Sequence, residues 1–220
     1  MTFKAVIFDL DGTLLNSLEG IADAMNVLLE RLGYSTHSLE TYKYFVGDGI
    51  AEMVRRALPE MSREKSDINK LVTDYRDIYH TTWPKKSPPY EGIPELLDAL
   101  SLKNIKLAVL SNKSDDFTNR MVSELLPDWK FEVVMGAQPG IPEKPDPYAA
   151  LKIAEIIGIA PTNIIFMGDS GVDMKTAARA NMYPVGVLWG FREAEELLAN
   201  GAKKLIKHPM ELLLPHISMN

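Results

Sequence analysis

A chain of 220 residues with 46% hydrophobic residues can form one generous domain, or a core with a smaller insert, and lies far from disordered composition. It has no apolar run long enough to span a bilayer, no secretory leader pattern and no cysteine, so a cytoplasmic protein without disulfides or thiolate metal sites is expected. A net charge of −6 without a basic stripe argues against nucleic acid as the main partner. Any anion bound here needs local donors and a metal, because the global field repels it.

The first predicted element is an apolar strand, Lys4–Asp9, which runs into Asp9, Asp11, Gly12 and Thr13. Residues i and i+2 of a strand share a face, where like charges repel. Two carboxylates at the end of a buried strand are costly unless a cation or a reacting group sits between them. From about Asn16 to Trp83 only helices are predicted. Leu18, Ile21, Ala22, Met25, Leu28, Leu29 and Leu32 mark a long amphipathic helix closed by Gly33. Ile50, Met53, Val54, Ala57 and Leu58 mark a second, and Ile68, Leu71, Val72, Tyr75, Ile78 and Tyr79 a third. The Pro-rich stretch from Trp83 to Pro89 reads as a hinge or linker. Beyond it, strands at Lys106–Ser111, Phe131–Gly136, Asn163–Gly168 and Tyr183–Leu188 alternate with helical patterns. Among the latter are Ile93, Leu96, Leu97 and Leu100, then Phe117, Met121 and Leu125, then Tyr148, Leu151, Ala154 and Ile157. Repeated β-α units imply a parallel sheet covered on both faces. The expected fold is α/β, a doubly wound Rossmann-like core (residues 1–15 and 85–220) with an inserted helical cap (16–84) placed to act as a lid.

Four signals carry chemistry. The Asp9-x-Asp11-Gly12-Thr13 run is not a calcium loop, because Leu14 and Gly20 stand where that pattern needs Gly and Glu. Ser111-Asn112 ends a strand, where a hydroxyl and a backbone N–H can cradle phosphate; the other reading is a helix N-cap near Asp115 or Asp116. Lys144 lies between prolines, which suit a charge that must be aimed, although a solvated loop lysine has the same appearance. Asp169, Ser170 and Asp173 follow the strand Ile164–Met167, and two acids at a strand-to-helix turn suit a hard cation such as Mg2+. Gly-Asp-Ser-Gly also surrounds the nucleophile of trypsin-like proteases. That reading needs an all-β double barrel and an upstream His, whereas His37 and His80 both lie in the helical insert.

Taken together, this ordered set resembles the haloacid dehalogenase superfamily over nearly the whole chain. Within it, Leu14–Gly33, the run Tyr44–Gly49 and the run Pro88–Gly92 resemble the phosphoglycolate phosphatase-like branch. The resemblance implies a phosphatase using Mg2+ and an aspartyl-phosphate intermediate. Asp9 is then the nucleophile and Asp11 the general acid and base. Lys144 neutralises charge, while Ser111, the Asn112 N–H and backbone amides near Gly12 bind phosphate. The implied metal ligands are Asp9, the Asp11 carbonyl and Asp169, with Asp173 and Ser170 behind them. Gly47, Asp48 and Gly49 resemble the specificity loop of the cap, with a plain interhelical turn as the alternative. Lys43, Arg55 and Arg56 are candidate partners for a substrate carboxylate. Asp11 favours phosphoester hydrolysis over dehalogenation. The helix from Ser17 to Leu32 has no His, which counts against a sugar-phosphate mutase. The expected partner is a small phosphorylated metabolite, first of all 2-phosphoglycolate, and the protein is expected to be a monomer or homodimer. Pyrophosphatase, nucleotidase, sugar phosphatase or mutase activity, or a non-catalytic phosphoryl-binding regulator, remain as alternatives.

Overall fold

The structure, a computed structural model, describes residues 3–213. Residues 1–2 and 214–220, assigned to the core by sequence, lie outside them. In chain order, β1 (Ala5–Phe8) is followed by five helices: α1 (Leu18–Arg31), α2 (Leu39–Phe45), α3 (Ile50–Ala57), α4 (Glu60–Arg63) and α5 (Ile68–Thr82). Then come α6 (Ile93–Leu102), β2 (Lys106–Ser114), α7 (Asp115–Leu125), β3 (Phe131–Ala137), α8 (Tyr148–Ile157) and β4 (Ile164–Gly168). These are followed by α9 (Gly171–Arg179), β5 (Tyr183–Val187), α10 (Ala194–Ala199) and β6 (Lys204–Ile206).

The chain divides into two compact units, Met1–Leu15 with Pro89–Asn220, and Asn16–Pro88. In the first, all neighbouring strands are parallel and the order is β3-β2-β1-β4-β5-β6. β1 reads Ala-Val-Ile-Phe and every residue is buried, because helices cover both faces of a parallel sheet. Strand order reverses at β1, which pairs with β2 on one side and β4 on the other. At such a reversal the connections leave in opposite directions and open a crevice beyond the carboxyl ends of the strands. Asp9 follows the last residue of β1 at that point.

The second unit is built of helices, and its amphipathic stripes follow the sequence. Leu18, Ile21, Ala22, Met25, Leu28 and Leu29 of α1 are buried, as are Met53, Val54 and Ala57 of α3 and Leu71, Tyr75, Ile78 and Tyr79 of α5. Residues 85–88, read by sequence as the return to the core, belong with the helices. Lys86 ion-pairs with Glu19 and Asp23 of α1, and the Asn16 N–H donates to the Pro88 carbonyl at 2.8 Å.

Three expectations need correction. β2 runs on to Ser114, pairing with Ala137 beyond a register shift. On α8, Tyr148 and Leu151 are exposed and the buried face is Ala149, Ala150, Ile153, Ala154 and Ile157. Small alanines let this helix lie close to Ile7, Leu110 and Phe166, and apolar size alone pointed to the wrong stripe. β6 was not predicted; three residues at a sheet edge are too few to show a period.

Candidate active site

Asp9 is locked to the sheet by its backbone, whose N–H donates to the Met167 carbonyl of β4 at 2.9 Å. Its Oδ1 accepts the Leu10 N–H at 2.7 Å and meets Lys144 Nζ at 2.9 Å. The same ammonium lies 2.7 Å from Asp173 Oδ1. The other oxygen of Asp173 closes a capping box at the start of α9, accepting from the Ser170 N–H and, at 2.6 Å, from its hydroxyl. Helix capping and lysine binding thus fix Asp173 from both sides. Asp169, just past β4, accepts the Phe191 N–H at Oδ2 over 2.7 Å.

Two glycines make room for Asp169. A Cβ on Gly12 would lie 2.3 Å from Asp169 Oδ2, and one on Gly190 would lie 2.2 Å from Asp169 Cβ. Gly12 also has φ +80°, a region L side chains rarely adopt. Its N–H donates to the Leu15 carbonyl at 2.9 Å. The turn thus uses the Gly12 amide itself, and the glycine admits a carboxylate.

Oxygens of Asp9, Asp169 and Asp173, all buried, lie within 4.8 Å of one another. Burial, then the Asp173 charge, push the Asp9 carboxyl up to about 7 against the pull of Lys144. Burial, followed by the charges of Asp9 and Asp173, holds Asp169 well above the ordinary range. Burial works against the Lys144 charge, but Asp173 and Asp9 outweigh it and push the ammonium up. Three carboxylates beside one ammonium form a site short of positive charge. Its donors are all hard oxygens, so the residues fit a divalent cation.

Asp11 stands apart. Both its oxygens face Lys113 Nζ, at 2.9 and 3.2 Å, and both side chains are about nine-tenths buried. Lys113 was missed by sequence, because a lone lysine two residues past a serine carries no signature. Ser111 is buried, and its Oγ accepts the Lys113 N–H at 3.2 Å. The Asn112 side chain pairs both ways with the Lys144 backbone, donating to its carbonyl at 3.0 Å and accepting its N–H at 2.8 Å. Asn112 therefore shapes the loop that aims Lys144, a task its place in the sequence did not disclose. The N-cap alternative for Ser111-Asn112 does not hold, since Ser114 occupies that position before α7.

Further residues frame the site. The Trp189 indole donates to the Thr13 carbonyl at 3.0 Å, tying the exit of β5 to the turn after Asp11. Glu196 of α10 accepts the Gly171 N–H at 3.0 Å and pairs with Arg192. Burial, with the charges of Asp169 and Asp11, pushes the Tyr90 hydroxyl pKa up. A glycine just beyond a predicted strand, Gly190, was the available signal for this edge.

In the helical unit, Asp48 pairs with Arg56 at 2.6 Å. Arg56 also reaches Glu52 and the carbonyls of Tyr44 and Phe45, so one guanidinium organises the turn that holds Gly47, Asp48 and Gly49. Lys43 pairs with Glu40, and Arg55 approaches Glu52. Each of the three expected carboxylate-binding cations therefore has an acidic partner inside its own unit.

Known proteins share this architecture. The profile of the haloacid dehalogenase-like hydrolases matches residues 6–187. A phosphoglycolate phosphatase of Aquifex aeolicus is 30% identical over 188 residues, 86% of each chain. One from Thiobacillus denitrificans is 33% identical over 189 residues, 84% of this chain and 82% of its own. Among solved structures, a haloacid dehalogenase-like family hydrolase from Streptococcus pneumoniae superimposes with a TM-score of 0.85 at 25% identity, covering 96% of this chain and 97% of its own. The acids after β1 and β4, Ser111 of β2 and the lysine before α8 all fall inside the matched span, and the chain belongs to the haloacid dehalogenase-like hydrolases, in their phosphoglycolate phosphatase-like branch.

Proposed function

We propose that this phosphatase hydrolyses a small phosphate monoester through an aspartyl-phosphate intermediate on Asp9, with 2-phosphoglycolate as the first candidate substrate. The observation that carries the reading is the buried Asp9–Lys144–Asp173 arrangement beside Asp169 at the reversal of strand order. Leu10 N–H and Lys144 hold one oxygen of Asp9, which fixes the carboxylate for attack on phosphorus. As the Asp9–phosphorus bond forms, the bond to the leaving oxygen breaks and Asp11 gives that oxygen a proton. Water then attacks phosphorus and gives a proton of its own to Asp11, while the Asp9–phosphorus bond breaks and frees the carboxylate and inorganic phosphate. Ser111 Oγ and the Asn112 N–H bind phosphoryl oxygens, Lys144 offsets their charge, and Asp173 orients Lys144. Asp9, Asp169 and the Asp11 carbonyl would hold Mg2+, which would supply charge neutralisation between nucleophile and phosphoryl group. The helical unit serves as a lid, with Gly47, Asp48 and Gly49 as its specificity loop, which restricts the site to small substrates.

The test is kcat/KM across phosphorylated acids, sugars, nucleotides and pyrophosphate, with Mg2+ and with chelator. The reading predicts chelator-sensitive hydrolysis with 2-phosphoglycolate highest. A higher value for another class replaces the substrate. No hydrolysis of any ester with Mg2+ refutes the enzyme and favours a phosphoryl-binding regulator.

A further inference from the structure

We propose that Lys113 is a positioning residue for Asp11, drawing its carboxylate out of the Asp9–Asp169–Asp173 cluster and holding it where a proton can pass to the leaving group. The inference rests on the reading of Asp11 as proton donor and acceptor. Asp9 and Asp11 are two residues apart at the mouth of a site whose acids fit a divalent cation, and a bound cation would draw a mobile Asp11 carboxylate in beside the other three acids. Instead it faces Lys113 Nζ with both oxygens, at 2.9 and 3.2 Å, and among the described residues the metal-sized cluster is Asp9, Asp169 and Asp173.

The lysine is aimed by a rigid mount rather than by its own flexible stem. The Lys113 N–H donates to Ser111 Oγ at 3.2 Å, and its carbonyl accepts the Thr118 hydroxyl at 3.1 Å. Gly136 of β3 packs so closely that a Cβ there would lie 2.6 Å from the Lys113 carbonyl oxygen. Three neighbours thus fix the backbone from which the ammonium projects. With the side chain about nine-tenths buried, the lysine holds one geometry, whereas an exposed lysine would sample many.

The test is a double-mutant cycle of wild type, Lys113→Met, Asp11→Asn and the combined variant, with folding checked by circular dichroism. Each protein is assayed with Mg2+ on an alkyl phosphate, whose leaving group needs a proton, and on p-nitrophenyl phosphate, whose leaving group does not. Where K113M fails to fold, Lys113→Gln takes its place in the cycle. K113M is expected to lose about 10²-fold in kcat/KM, which reads the step that forms the aspartyl phosphate, on the alkyl ester, of the order of an acid–base contribution, and tenfold or less on the aryl ester. The combined variant should be no slower than D11N on the alkyl ester within about threefold, because both changes remove one function. Equal loss on both esters, or losses that multiply in the combined variant, overturn the proposal and leave Lys113 a structural ion pair. If D11N itself fails to discriminate between the esters, the acid–base role of Asp11 falls and this proposal falls with it. If D11N discriminates and K113M does not, only the Lys113 assignment falls.

Discussion

Replacing Gly12 by Ala tests whether backbone packing, rather than the carboxylate alone, builds the proposed metal site. The change imposes two separable costs. A Cβ residue at φ +80° carries left-handed strain of about 1–2 kcal/mol. The new methyl would also stand 2.3 Å from Asp169 Oδ2, more than an ångström short of ordinary contact. Asp169 cannot simply retreat, because Gly190 packs on it so closely that a Cβ there would lie 2.2 Å from the Asp169 Cβ. Overpacking of this kind costs about 1–3 kcal/mol more. Gly140 supplies the control: it shares φ +80°, sits in a turn closed by Ile141 N–H to the Gln138 carbonyl at 3.2 Å, and a Cβ there meets nothing within 4 Å. Gly140→Ala should therefore show the strain alone, lowering Tm by about 2–8 °C, and G12A the sum, about 4–20 °C, in a chain of this size. Because the displaced group is a proposed ligand, G12A should also weaken divalent binding about 10–100-fold by calorimetry, while G140A leaves it unchanged. The reasoning is refuted if G12A melts with G140A and binds the divalent ion as tightly as wild type.

Asp9→Asn should reduce turnover to background while the protein stays folded; substantial turnover by the pure variant removes Asp9 as nucleophile. The same variant carries a pH signature in chelator. Native Asp9 keeps its proton up to about 7, whereas the unfolded chain releases it near 3.8, so the native state binds more protons between these values and wild-type stability falls as pH rises through that window. The fall should be about 1–4 kcal/mol in urea unfolding and smaller in D9N, with raised Asp169 leaving some residual slope; matching slopes refute it. Asn112→Ala deletes two hydrogen bonds to the Lys144 backbone and should cost about 1–3 kcal/mol, with kcat falling more than KM changes in steady-state assays. Lys144→Met leaves Asp9 and Asp173 facing each other without their shared cation, and should cost about 3–5 kcal/mol at pH 8. The loss should shrink at pH 5.5, where Asp9 accepts a proton; a loss independent of pH in urea titrations counts against the electrostatic account.

The parts of this protein that the sequence discloses are those whose chemistry is local. Ala-Val-Ile-Phe cannot be other than buried, and an acid directly after it is unusual wherever it occurs. The same holds for Asp169 after Ile-Ile-Phe-Met. What stays hidden depends on chain segments far apart in sequence. Asn112 looks like a strand-end donor until Lys144 arrives, 32 residues later, to occupy both ends of its amide. Gly190 is one glycine after one strand until it proves to wall Asp169 against Gly12. On α8 the failure was of another kind: periodicity weighted by size selected Tyr148 and Leu151, while close helix-to-sheet packing had selected alanines.

The two acids at the start of the chain also show why spacing alone misleads. An i, i+2 pair on a continuing strand would share a face and repel. The strand stops at Phe8, and the turn through Gly12 lets the side chains diverge. Each acid then acquires its own ammonium, Asp9 from Lys144 and Asp11 from Lys113. Both cations are placed from the same short stretch of β2. Ser111 steadies the backbone of Lys113, and Asn112 grips the backbone of Lys144. Residues 111–113 therefore set the charge pattern of the opposing turn as well as lining the phosphate site proposed here. That placement makes the end of β2, more than the pair of aspartates, the feature that separates the proposed nucleophile from the proposed proton donor.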